Sequence, residues 1–256
     1  MPLSTTQSET AASQRPAPRK PVWWRRRGVA VVGALLSGLL AVVLLLTREV
    51  QLLDTPTEPA QRLQFGGAGK ALVIIDIQED YTGSRARAPY PASEQLLLRI
   101  NELSQAAADA GWPVVYVRQI FSRSVSQLVS RLMLGGDALE SSPGASFDRR
   151  LRLVSSHRFE KPFSDAFSSP PFEALIVKQN IGELYLVGLD GAGCVDRTAR
   201  GAMRRGLSVT LIEDAIATRD ADEYLVVQRD YPALGVRRLM SREFQRVLNG
   251  TPNTHH

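Results

Sequence analysis

The sequence predicts a three-layer α/β/α fold with a mostly parallel sheet of about six strands, preceded by one N-terminal transmembrane helix. Three observations carry this prediction. Short, continuously apolar runs recur from Lys70 onward, separated by stretches of helical period. Strands buried on both faces read this way, and such strands belong to parallel sheets covered by helices. Ahead of them lies a twenty-residue run without a charge, Gly28 to Thr47.

In chain order, residues 1–27 read as a disordered basic tail, rich in Ser, Thr, Gln, Ala and Pro in its first 22 positions and with no apolar period. Residues 28–47 read as the membrane helix, since twenty helical residues span about 30 Å, the thickness of a bilayer core. Trp23 and Trp24 sit where an aromatic belt lies. A signal peptide would need a shorter apolar region and a small-residue cleavage site, whereas Thr47-Arg48-Glu49 follows directly, so the span is expected to stay uncleaved. Six basic residues precede it, and only Arg48 and Arg62 follow within about twenty positions. That asymmetry predicts a single-pass protein with a cytoplasmic N-terminus and an extracytoplasmic folded domain. Residues 48–69, with Pro56, Pro59 and a glycine-rich end, read as a linker, and 251–256 as a tail.

Between them, residues 70–250 form the globular domain. Its expected strands are 71–76, 113–118, a short one just before Lys161, 183–188, 207–214 and an edge strand at 235–240. A helix is expected over 93–110, where Leu96, Leu97, Ile100, Leu103 and Ala107 share a face and Gly111 stops it. Ser241 is positioned to cap a last helix. Residues 119–147 read as a helix-and-loop insert covering a pocket. Parallel sheets bind ligands at the carboxyl ends of their strands. Asp76 ends the first strand, and the glycine turn after 183–188 leads to Cys194, so a carboxylate and a thiol are directed to one edge.

Composition narrows the function. The chain carries 31 basic and 26 acidic residues, a net charge of +5. Residues 1–27 hold six basic residues against Glu9 alone, which leaves 25 of each sign in the remainder. The globular part therefore gives no reason to expect a nucleic-acid partner. Cys194 is the only cysteine, so no internal disulfide forms. Read as the start of a helix running to Arg205, Cys194 is expected to have its thiol pKa lowered by the helix dipole. Lysine is scarce, with four against 27 arginines. A compact ammonium does what a planar guanidinium cannot, which marks Lys161 for attention. His157 is a rival partner for the thiol.

These segments resemble the isochorismatase-like cysteine hydrolases. ALVIIDIQEDYTG is similar to their D-x-Q opening strand, KPFSDAF to their lysine motif, and GLDGAGCVDRTARGAMRRGLSVTLIEDA to their nucleophile block. The resemblance spans about residues 70–248 and implies a three-layer fold with an Asp–Lys–Cys triad. By position, Asp76 is the general base, Lys161 the triad lysine and Cys194 the nucleophile. The family's non-prolyl cis peptide falls at Leu189–Asp190, with the backbone N–H groups of Asp190 and Cys194 as the oxyanion hole. Gln78, Tyr81, Arg118, Gln119, Phe163 and Phe167 are candidate pocket residues, and for each aromatic core packing is an equal reading.

Two departures refine the expectation. Nicotinamidases of this family carry a metal-binding Asp and His after the second strand, whereas this chain reads YVRQIFSRSV. No metal or cofactor is therefore expected. True isochorismatases of the family lack the cysteine, so the resemblance implies hydrolysis of a C–N bond in a small amide-type molecule, through a thioester, over vinyl-ether cleavage. The resemblance also raises self-association into a homo-oligomer, as related enzymes often assemble. The competing readings are a non-catalytic binding or scaffold domain and a thiol redox protein. The complete Asp–Lys–Cys set argues against the first, and the lack of a resolving cysteine against the second.

Overall fold

The computed structural model describes residues 22–59, 69–133 and 135–250. The expected tails at 1–21 and 251–256, and residues 60–68 of the expected linker, lie outside the described residues. The chain divides into two units, one ending at Leu44 and one beginning at Leu45. The first contains most of α1 (Val22–Asp54). Ala30–Leu52 within this helix is long and apolar enough to cross a membrane. Leu35, Leu36 and Leu39 are each more than half exposed. The helix outlasts the expected boundary at Thr47. Arg48, Glu49, Gln51 and Leu52 are good helix formers, and the helix ends two residues before Pro56.

The second unit is built on six parallel strands: β1 (Gly69–Ile75), β2 (Val114–Gln119), β3 (Arg158–Lys161), β4 (Ile181–Gly188), β5 (Ser208–Ile216) and β6 (Arg237–Leu239). Their spatial order is β3-β2-β1-β4-β5-β6. The chain winds to one side from β1 and to the other from β4, so the switch point lies between these two strands. The remaining helices are α2 (Ser93–Asp109), α3 (Ser124–Met133), α4 (Pro170–Lys178), α5 (Asp196–Arg204), α6 (Ala221–Gln228), α7 (Tyr231–Leu234) and α8 (Ser241–Leu248).

Alternation along β1 creates the layers. Ala71, Val73 and Ile75 enter one core, with Phe172 and Ile176 of α4 and Ala199 and Ala202 of α5. Leu72 and Ile74 enter the other, with Leu97, Ile100 and Leu103 of α2 and Phe244 of α8. Each fully buried aliphatic side chain contributes roughly 1.5–3 kcal/mol, so β1 is stabilised from both faces. Ser241 is not the cap of α8. It is the first helical residue, and its N–H and hydroxyl donate to Asp214. Glu243 closes the helix start by accepting from the Met240 N–H at 2.7 Å.

The segment after α1 is tied down rather than free. The Thr57 N–H and hydroxyl donate to Asp165 Oδ2 at 2.8 and 2.6 Å. Arg204 donates to the Pro56 carbonyl at 2.8 Å and pairs with Glu58. Arg205 donates to the Thr57 carbonyl at 3.2 Å. Part of the expected linker is thus a strap held by the turn after Lys161 and by the end of α5.

Gly188 fixes the junction of β1 and β4. Its φ is +116°, and a Cβ there would lie 2.1 Å from the Ile75 carbonyl oxygen. The same oxygen accepts the Leu189 N–H at 2.9 Å. Gly188→Ala should therefore cost at least about 2–3 kcal/mol, through backbone strain plus displacement of β4. Urea denaturation checks this, and an unchanged midpoint would contradict the close approach.

Candidate active site

The switch point brings three strand ends together. Asp76 follows β1 directly and has φ +57°, a left-handed backbone that Asp tolerates better than most residues. Its N–H still donates to the Val117 carbonyl, so the turn away from the sheet begins at this residue. Lys161 is the last residue of β3 and pairs in register with Gln119, the last residue of β2. Cys194 follows β4 through Gly188–Gly193, a turn stapled by Asp190, whose carboxylate accepts the N–H groups of Ala192 and Arg219.

The three expected residues meet through one ammonium. Lys161 Nζ lies 2.9 Å from Asp76 Oδ2 and 3.2 Å from Cys194 Sγ. Its third contact is Gln119 Oε1 at 2.6 Å. Lys161 is wholly buried and Asp76 is 2% exposed. Burial pulls the Lys161 pKa down, but Asp76 and the thiol outweigh it and hold the ammonium above its ordinary value. Asp76, Gln119 and Cys194 lie on the wall of a cavity of about 450 Å³.

Two expectations are corrected here. The Cys194 thiol is not lowered. Burial pushes it up to about 12, with Lys161 opposing and Asp76 adding to the rise. The thiol packs against the core that holds Val195 and Ala199, and this burial outweighs its place two residues before α5, just after the non-helical Gly193 (φ −108°, ψ −108°). The Leu189–Asp190 peptide is trans, since no peptide bond among the described residues is cis. The reversal is made by Gly188 at positive φ and by the Asp190 staple, so the backbone turns without a cis bond. The expected oxyanion hole loses the bond that it rested on.

The wall residues divide. Tyr81 and Gln119 line the cavity, and Gln78, Arg118, Phe163 and Phe167 do not. Gln78 is wholly buried and clamps the Gln119 backbone, donating to its carbonyl at 3.1 Å and accepting its N–H at 2.7 Å. Arg118 pairs with Glu160 on the sheet. Phe167 stacks edge-on against Phe172 in the core, and Phe163 lies beneath the Arg123 guanidinium. His157 meets Gln179 at 3.3 Å and does not line the cavity.

Sequence reasoning missed Arg87, Tyr90, Phe121, Asp137, Ser164 and Arg219, all on the wall. Phe121 and Asp137 come from the stretch expected to cover the pocket. Arg219 carried a usable signal, because it follows the carboxyl end of β5, the same edge as Asp76. Its guanidinium lies 4.1 Å from the Tyr90 ring centre. Among the described residues Arg219 forms no ion pair, and no cluster of three or more His, Cys, Asp or Glu side chains is arranged to hold a metal.

Comparison with known proteins agrees with this architecture. The isochorismatase domain model matches residues 70–229. N-carbamoylsarcosine amidase of an Arthrobacter species is 23% identical over 167 residues, which cover 62% of this chain and 63% of that protein. The chain thus spans somewhat under two thirds of that relative's length. Among solved structures, a cysteine hydrolase from Pseudomonas syringae pv. phaseolicola superposes with a TM-score of 0.64 at 17% identity, covering 76% of this chain and 99% of that one. An N-carbamoylsarcosine amidase from Thermoplasma acidophilum gives 0.59 at 21% identity, covering 68% and 96%. At these identities the structural likeness shows the fold.

Because Cys194 is the only cysteine, its titration is directly readable. Iodoacetamide alkylation followed against pH should show a midpoint above the free-thiol value of about 8.5. Lys161→Met should move it higher still, since the ammonium is what opposes burial. A wild-type midpoint below 8.5 would overturn the dominance of burial.

Proposed function

Because the chain belongs to the isochorismatase family, we propose that it is a membrane-anchored cysteine hydrolase that cleaves the C–N bond of a small amide-type molecule. The observation that carries the reading is the single buried ammonium of Lys161 between Asp76 Oδ2 at 2.9 Å and Cys194 Sγ at 3.2 Å, both of which lie on the wall of the cavity. The resting thiol is neutral, so attack needs a base at hand. Asp76 takes the Sγ proton as sulfur bonds to the carbonyl carbon. The proton then passes to the leaving nitrogen as the C–N bond breaks, giving a thioester and ammonia or an amine. Water attacks the thioester, Asp76 takes its proton, and the thiol is regenerated as the acid departs. Lys161 keeps one positive charge beside whichever of Asp76 or Cys194 is anionic, so the proton shift never leaves an unpaired buried charge. Of the two expected oxyanion donors, the Cys194 N–H needs no cis bond, and it is the one this reading retains.

Arg219 supports a narrower substrate class. A guanidinium on the wall, braced on Tyr90, with Asp137 of the same wall acting on it but no side-chain ion pair to it among the described residues, suits an acidic group on the substrate. N-carbamoylsarcosine, named in one relative, carries a carboxylate beside its ureido group. We assign the anchor to α1. Its large apolar side chains from Val31 to Leu45 are exposed in the protein alone, and lipid is the solvent that suits them. The excess of basic residues before it favours an extracytoplasmic domain.

Cys194→Ser and Lys161→Arg should each abolish hydrolysis across a panel of primary amides and ureido acids, the first by loss of the thiol and the second because a planar fork cannot replace a compact ammonium. Retained turnover in Cys194→Ser would return the protein to the binding-domain reading. Arg219→Ala should raise KM for acidic amides roughly tenfold to a hundredfold and leave neutral ones nearly unchanged, the effect of one lost charge-assisted hydrogen bond. A reporter fused after His256 should be active only outside the cytoplasm, and cytoplasmic activity would refute the orientation.

A further inference from the structure

Gln119 makes an unusual exchange. It is 3% exposed, and its Nε2 is buried without a hydrogen-bond partner. Leaving such a donor unmade costs about 1–3 kcal/mol. Rotating the terminal amide by half a turn would not help, because Lys161 only donates. The amide oxygen must face the ammonium, and the 2.6 Å contact to Oε1 fixes that orientation. The backbone is fixed as well. Gln78 grips the Gln119 N–H and carbonyl together, and its Nε2 also donates to the Ala145 carbonyl at 2.9 Å. Gln78 follows Asp76 by two residues, so one short segment supplies the carboxylate and, through Gln119, the amide.

The ammonium therefore has three acceptors for its three N–H groups: Asp76 Oδ2, Cys194 Sγ and Gln119 Oε1. With all three filled, its position is set. With only two, the opposite charge on Asp76 would draw it away from the neutral thiol. We propose that Gln119 is a positioning residue, held by Gln78, which keeps the Lys161 ammonium against Cys194 at the expense of its own buried N–H. The proposal rests on the hydrolase reading for its purpose, but it is tested on the thiol alone. Nothing in this role requires a carboxylate or an imidazole at position 119, so it differs from metal ligation at this place in the fold.

The test uses the full chain and iodoacetamide as probe. The charged and titratable groups acting on the thiol are Lys161 and Asp76, and the neighbouring Tyr81 and Tyr90 are coupled to it. Gln119→Leu removes the acceptor and the unpaired N–H together. It should leave the melting temperature unchanged or higher, yet raise the Cys194 alkylation midpoint by about one pH unit, so alkylation near neutral pH slows about tenfold. Gln119→Glu keeps the shape but adds an anion beside the ammonium, and should raise the midpoint further. In a Lys161→Met background, Gln119→Leu should have no further effect, because the residue acts through the lysine. An unchanged midpoint in Gln119→Leu, an equal shift in the Lys161→Met background, or a lower melting temperature with an unchanged midpoint would each overturn the proposal. Absence of amide hydrolysis with the expected alkylation pattern would instead count against the hydrolase reading and leave the positioning role standing.

Discussion

A buried ammonium is tolerable only where acceptors surround it, and Lys161 imposes that condition on the whole carboxyl edge of the sheet. Moving such an ion out of water costs several kcal/mol, and only good geometry recovers it. Its acceptors come from the ends of β1 and β2 and from the turn after β4, while the lysine itself ends β3. Four separate pieces of chain must therefore stop at the right height. Parallel pairing supplies this, because register in one strand pair sets the height of the next. Gly188 and the left-handed Asp76 are the local irregularities that let the chain leave the sheet where the ammonium needs its partners.

The same condition explains the chemistry of the thiol. A cysteine at a helix start gains from the helix dipole, but at Cys194, two residues before α5, burial dominates. Under the hydrolase function proposed above, the adjacent carboxylate and a cation that serves either protonation state would make it usable, through a poised proton transfer and not a standing thiolate.

Much of this was legible in the sequence. Apolar runs located the strands to within a few residues, since a strand covered on both faces has no polar position to blur its pattern. Asp76 and Cys194 stood out as strand-end residues and Lys161 as a scarce lysine, but it was the resemblance to the isochorismatase-like hydrolases that joined them into one candidate site. The cavity wall was less legible. Gln78 and Gln119 read as equivalent polar residues, yet one grips backbone and the other faces the ammonium, a difference set by register between β1 and β2 that no local pattern encodes. Arg118 adjoins Gln119 in sequence and Phe167 follows Lys161 by six residues, yet Arg118 pairs with Glu160 and Phe167 packs in the core. The peptide before Asp190 was expected to be cis from resemblance, and the glycine at 188 achieves the turn by another route. The extension of α1 past Thr47 was readable in its helix-forming residues, but the charges at 48 and 49 masked it.

The strap at 56–58 imposes an order in time. Thr57 is separated from Asp165 by 108 residues, and Pro56 from Arg204 by 148. A chain emerges from the ribosome amino end first. The strap is thus among the earliest parts of the domain to be made and has no partner until the lysine turn and α5 have been synthesised and folded. Closing so long a loop is entropically costly and rewarded only late. Its hydrogen bonds therefore form late, so occupancy of the Asp165 carboxylate by Thr57 records that the lysine turn is already in place, and the bonds from Arg204 and Arg205 record the same of α5.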